Sequence, residues 1–192
     1  MSFLSGRGFL RRVWRWVRWP LAVVVVAYVL LVIWDTKRLF DVDKTSAAVA
    51  AIHTQKITPA DVMGANLPPP PDHAENDATV AGVDKNNNGI RDDVELAIFK
   101  KYPDSAKIRA AELQYAMTEQ MYLTRVFNTE TWKAVAEENS RAQSCIIESG
   151  ANRKEIESLV FNTQMRLQAR DKAFEFTTSH GPASGVLCDV TL

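Results

Sequence analysis

Residues Leu21 to Trp34, LAVVVVAYVLLVIW, are fourteen consecutive apolar positions, and Trp14, Val17 and Trp19 extend the stretch toward the amino end. In hydrocarbon every backbone N–H and C=O must be satisfied within the segment, and a single helix does that. The lipid-compatible length approaches the roughly 17 residues needed to cross a bilayer core. Trp14, Trp16 and Trp19 on one side and Trp34 on the other stand where an interfacial aromatic belt would lie. Arg7, Arg11, Arg12, Arg15 and Arg18 precede the run, whereas Lys37 and Arg38 follow it, a bias that predicts a cytoplasmic amino terminus. Ile33, Trp34, Asp35 and Thr36 offer no small-residue cleavage site, and no cysteine follows for lipid attachment. The sequence therefore predicts a retained anchor rather than a removed signal peptide.

The remainder of the 192 residues suffices for one domain with appendages. From Asp35 onward 18 basic residues face 23 acidic ones, a net of −5, which argues against nucleic acid as a partner. The two cysteines, Cys145 within a helical stretch and Cys188 in a Gly/Pro-bearing tail, predict a structural disulfide in an oxidising compartment. These features together predict a single-pass protein of a bacterial inner membrane with its main domain in the periplasm.

Asp84 to Glu95, DKNNNGIRDDVE, carries the most specific chemistry. Read as twelve positions, Asp84, Asn86 and Asn88 fall at one, three and five, Gly89 at six, Ile90 at seven, Asp92 at nine and Glu95 at twelve. This is the spacing with which a short loop wraps a calcium ion (Ca2+). The Asp84 carboxylate, two Asn amides, the Ile90 carbonyl, Asp92 and a bidentate Glu95 would supply the six to eight oxygens a hard cation takes. An Asn-rich turn leading into an acidic helix start would have the same composition without any metal.

NLPPPPDHAENDATVAGV, just before the loop, is too rich in Pro and polar residues to supply an entering helix. Arg91 stands at the eighth position, where paired EF-hands carry an aliphatic residue, so a lone loop with only an exiting helix is expected. Such a loop is similar to the calcium motifs of dockerin modules and thrombospondin type 3 repeats. NDATVAGVDKNNNGIRDDVE also resembles a stretch of uncharacterised bacterial exported and membrane-anchored proteins, a resemblance of about twenty residues that implies no activity.

The predicted order is a basic cytoplasmic tail at 1–16, the anchor at 17–35, short helices and a Pro-rich spacer at 36–82, and the calcium loop at 83–95. A bundle of about four helices at 92–179 and a disulfide-pinned tail at 180–192 complete an all-α fold. Thr58 before Pro59 is a helix start with Gly64 past its end, and Pro68 to Pro71 reads as an extended spacer. The bundle stripes are Val94 and Ile98; Ile108, Leu113, Met117, Met121 and Phe127; Trp132, Val135, Asn139, Ala142 and Ile146; and Ile156, Val160, Thr163, Leu167 and Phe174. Asn152 and Glu155 form a capping-box pattern for the last helix.

Met117, Met121 and Met165 at helical spacing are core filler, and Tyr115, Tyr122, Phe174 and Phe176 need only burial. His53, His73 and His180 match no metalloprotease spacing, and Ser184 stands one place late for a nucleophile elbow. Cys145, His180 and Asp189 are a thiol nucleophile, base and orienter in type only. No residue is singled out as catalytic. The expected role is binding or scaffolding for an envelope partner; a periplasmic hydrolase, for which a concave pocket is the requirement, and a calcium-responsive sensor are the rival classes.

Overall fold

The computed structural model describes residues 6–181 and 185–191, with side chains from Arg18 onward apart from Lys37. Among the described residues there are eight helices and no strand. The chain divides into two compact units, Met1–Lys44 and Thr45–Leu192.

Helix α1 (Gly6–Thr54), which makes up the described part of the first unit and continues to Thr54, is long and apolar enough to cross a membrane, with a mean hydropathy of 2.0 over its most apolar window. Its residues from Trp19 to Ile33 are exposed, and Trp19 and Trp34 are 69% and 73% exposed. Trp14 and Trp16, the other members of the expected belt, lie outside the described side chains. The expected separate helix near Thr45 is instead the end of α1. Asp35 to Thr54 contains no Gly or Pro, so nothing interrupts the i→i−4 ladder until the chain turns toward Pro59.

The second unit begins at Thr45, so it takes in the residues before the loop as well as the helices after it. Pro68 is buried within this unit, so the proline run is part of the domain surface rather than a free spacer. The helix-start signal at Thr58 is real: α2 (Pro59–Met63) opens with a reciprocal Thr58–Asp61 capping box and closes on Gly64 at φ 75°. The segment before the loop, expected to be non-helical, forms one turn, α3 (His73–Asp77). Asp72 caps it by accepting from the N–H groups of Ala74 and Glu75.

Central to this unit is α5 (Ala106–Thr124), whose residues from Arg109 to Tyr122 are all buried. It is enclosed by α4 (Asp92–Lys101), α6 (Thr129–Ser149), α7 (Arg153–Val160), α8 (Gln164–Phe174) and α2. Leu113, Ala116, Met117 and Met121 fill the core, and each fully buried large apolar side chain contributes about 1.5–3 kcal/mol. The expected stripe of α6, Trp132 to Ile146, is buried at every position.

The single fourth helix of the sequence reading is two, α7 and α8. Thr163 is not a core position but the N-cap of α8, its hydroxyl accepting from the Arg166 N–H at 3.2 Å. Asn and Thr side chains compete with the helix for backbone partners, which explains the break. The Asn152–Glu155 box does not form. Asn152 makes no side-chain cap bond, and its N–H reaches Glu112 Oε1 at 3.4 Å. The Cys145–Cys188 disulfide is present, with Cα atoms 5.1 Å apart. Closing a span of 43 residues contributes about 2–4 kcal/mol. Beside it Arg141 joins Glu138 to Asp189, and Asp189 also accepts from the Ile57 N–H.

Three buried arginines replace apolar packing at helix ends. Arg109 donates to the carbonyls of Val62, Tyr102 and Pro103. Arg166 donates to the carbonyls of Asn76 and Val80 and to the side chains of Asp77 and Asn162. Arg91 donates to the carbonyls of Leu159 and Val160 at the end of α7 and pairs with Asp93. These groups satisfy helix C-terminal carbonyls that have no partner within the helix.

Gly82 lies at φ 68°, and a Cβ there would meet Arg91 Cδ at 2.2 Å and Asn76 Oδ1 at 2.8 Å. Gly150 has a similar φ of 76° but open space. Gly150→Ala should therefore cost about 1 kcal/mol for its backbone conformation alone. Gly82→Ala should cost roughly 3 kcal/mol, because it also displaces a buried guanidinium. Urea denaturation of the two variants side by side checks this; equal losses would mean the neighbours of Gly82 yield freely.

Candidate functional site

Residues 76–95 are fixed from several sides. Arg166 holds the carbonyls of Asn76 and Val80, the Asn76 side chain accepts from the Val83 N–H at 3.1 Å, and the Asp92 N–H returns to the Val83 carbonyl at 2.8 Å. Arg91 ties the exit to α7. This gives the eighth loop position a role that an aliphatic residue could not fill: its partner is a helix end, not a second loop. Gln55 donates to the Asn88 carbonyl at 3.2 Å, so the turn after α1 braces the loop from outside.

Within the loop the side chains at one, three, five and nine turn back onto the backbone. Asp84 accepts from the N–H groups of Asn88 (3.2 Å) and Gly89 (2.9 Å), and Asn88 Oδ1 accepts from Ile90 (2.9 Å). Asp92 Oδ1 accepts from the Lys85 N–H at 3.0 Å. Gly89 takes φ 88° and Asn87 φ 56°, the left-handed pair that bends the chain. Ile90 turns its side chain into the core, 1% exposed, leaving its carbonyl as the donor it has to offer.

Asp92 and Glu95 are 0% and 1% exposed, and their outer oxygens, Asp92 Oδ2 and Glu95 Oε1, are buried without a hydrogen-bond partner. Two buried carboxylate oxygens left in this way are costly unless a cation or a proton neutralises them. Burial raises the pKa of Glu95 to about 7, with the charges of Asp61 and Asp92 adding and the Asn86 amide opposing. Burial likewise raises Asp84 and Asp92. The six predicted residues thus lie in one short loop, but their donors are of mixed kind. Among the described residues no three His, Cys, Asp or Glu side chains gather as a metal cluster. The Asn86 amide turns its NH2 to Glu95 Oε2 at 2.9 Å; its oxygen would have to face Glu95's side of the loop for Asn86 to serve as a ligand.

Against known proteins the chain matches no family model, no curated protein and no solved structure. Function therefore rests on the chemistry of the residues themselves.

The thiol-triad test fails on geometry: Cys145 is in the disulfide and Asp189 pairs with Arg141. His180 Nε2 instead lies 3.2 Å from Ser140 Oγ, a serine–histidine pairing the sequence reading did not consider. It lacks the makings of a nucleophile. The Ser140 hydroxyl also bonds the Ala136 carbonyl at 2.8 Å, and no carboxylate orients His180 among the described residues. Ser184 lies outside the described residues. The concave pocket that the hydrolase reading requires does exist, between α5, α6, α7 and α8, away from the calcium-type loop.

Proposed function

We propose that this chain is a single-pass membrane protein whose second unit takes a calcium ion at Asp84–Glu95 and serves in binding or scaffolding at the cell envelope. The observation that carries the ion is the pair of buried, unpartnered carboxylate oxygens on Asp92 and Glu95. A hard cation would relieve both at once, and Asp84, Asn86, Asn88 and the Ile90 carbonyl offer the further oxygens. The resemblance of the Asp84–Glu95 loop to dockerin and thrombospondin type 3 calcium motifs points the same way. When bound, the ion supplies charge compensation and order. An ion held wholly by loop oxygens would leave little room for a substrate, which favours a structural ion over a hydrolytic one.

A lone loop with two neutral Asn ligands should bind in the range of extracellular modules, about 10⁻⁴ to 10⁻³ M. At tenfold excess over the dissociation constant it would stabilise the fold by about 1.4 kcal/mol. Calorimetry on the full chain in lipid nanodiscs should give a saturable heat with calcium that Glu95→Gln removes. The absence of that heat at millimolar calcium would return the loop to a capped turn.

The arginine bias ahead of Leu21 supports an N-in, C-out orientation with the domain in the periplasm. A carboxy-terminal alkaline phosphatase fusion should accordingly be active. An inactive fusion, or a mature chain beginning beyond Trp34, would overturn this topology.

A further inference from the structure

The pocket between α5, α6, α7 and α8 has a volume of about 540 Å³ and is open to solvent on one side. This is within the range of small-molecule sites. One wall is aromatic. Tyr122 and Phe174 lie 5.0 Å apart between centroids, Trp132 stands edge-on to Phe174 at 6.3 Å, and His180 stands edge-on to Trp132 at 5.7 Å. Phe174 is 45% exposed despite its place in this cluster, so the wall presents an apolar face to the cavity.

The charges lining the cavity cancel except at one point. Arg153 faces Glu157 at 3.4 Å, and Arg170 pairs with Asp171 at 2.9 Å. Glu119 lines the same space, is 6% exposed, and has no basic partner within ion-pair distance among the described residues. Asn139 donates to its Oε1 at 2.8 Å. The Tyr115 hydroxyl lies between Glu119 and Glu157, bonding Glu157 at 2.7 Å and also reaching Glu119, and it is neutral, so it brings no positive charge. A buried carboxylate of this kind lacks a cation, and the cavity is where one can enter.

We propose that this cavity binds a small organic cation, a primary ammonium carried on a compact apolar body. Its ammonium would pair with Glu119, and its body would lie against Tyr122, Trp132 and Phe174. An ammonium supplies the counter-charge that Asn139 and Tyr115 do not, and the ring faces favour both the cation and the hydrocarbon. Metal ions are a poorer fit, since one isolated carboxylate among rings offers too few oxygens. Sugars would use the aromatic wall but not the lone charge. The site belongs to a different face of α5 from the calcium-type loop, so it stands or falls independently of that reading.

The test is calorimetry of the full chain in nanodiscs, with empty nanodiscs as blank, using phenethylamine and its neutral counterpart 2-phenylethanol. Phenethylamine should bind saturably and the alcohol at least tenfold more weakly. Glu119→Gln should weaken phenethylamine at least tenfold and leave the alcohol unchanged, whereas Phe174→Ala should weaken both about threefold. Each variant's thermal transition shows that it is folded; Phe174 is partly exposed, so its truncation leaves the core in place. Equal binding of amine and alcohol, full retention by Glu119→Gln, or no binding of the amine at ten millimolar would overturn the proposal.

Discussion

Arg91→Ala should destabilise the second unit by about 3–5 kcal/mol, more than the loss of any surface ion pair. The guanidinium is fully buried and makes four hydrogen bonds: to the Leu159 and Val160 carbonyls, and to both oxygens of Asp93. Its removal leaves two helix-terminal carbonyls without donors in a space water enters poorly, each costing about 1–3 kcal/mol. Asp93 itself is 31% exposed on its side chain and can be hydrated when Arg91 is removed, whereas Asp93→Ala leaves the buried guanidinium without its counter-charge and should cost about 3 kcal/mol. Arg91→Lys should recover less than half of the loss, because an ammonium cannot reach the carbonyls and the carboxylate together. Urea denaturation of the three variants decides the matter. A loss below 1 kcal/mol for Arg91→Ala would mean that α7 does not depend on this cap. The same variant should weaken calcium heat at the loop, since Arg91 lies within it and sets where α4 begins.

Arg91 also marks how far local sequence carries. Its position in the loop was visibly unusual, but its partner carbonyls lie 68 and 69 residues away, and nothing near Arg91 announces them. The turn at Gly89 was legible because the partners that fix it lie within five residues, although Asp84 and Asn88 read as ion ligands rather than as acceptors for backbone N–H groups. The break before α8 was equally local. Asn162 and Thr163 are cap formers, and an apolar stripe drawn through Thr163 overrode them. Glu119 is the opposite case. An acidic residue in mid-helix reads as solvated, and only the packing of α6 and α7–α8 around α5 encloses it. The same enclosure gathers Tyr122, Trp132 and Phe174, from three helices, into one wall. Even the boundary at Thr45 followed from long-range contacts, because Ile52 and Pro68 become core only when the bundle covers them.

In chelator, the fold should become more stable as pH falls from 8 to 5, opposite to the behaviour of a protein held by paired carboxylates. Burial pushes both Glu95 and Glu119 from an ordinary 4.5 up to about 7. Below about pH 4.5 folded and unfolded chains both hold these protons, and the groups are neutral in effect. Between about 4.5 and 7 the folded chain keeps protons that the unfolded chain releases, so stability declines as pH rises through this window. Above about 7 the full penalty is present, on the order of 3 kcal/mol for each group. Asp84, Asp92 and Glu112 are raised by burial and act in the same direction. Glu138 is the exception. Burial would raise it, but hydrogen bonds with His53, Lys56 and Arg141 outweigh that and lower it, so its contribution is lost only below the range considered. The expected rise in melting temperature from pH 8 to pH 5 is on the order of 10 °C for a unit of this size. Glu119→Gln should remove a substantial share of that slope with or without calcium. Glu95→Gln should remove a similar share in chelator and abolish any difference made by calcium, because a bound ion holds the Glu95 site against protons and so stabilises most at pH 8. Melting curves of the full chain in nanodiscs at both pH values, with chelator and with calcium, separate the two carboxylates. Stability that increases from pH 5 to pH 8 in chelator, or a slope untouched by Glu119→Gln, would show that these groups are not buried as described.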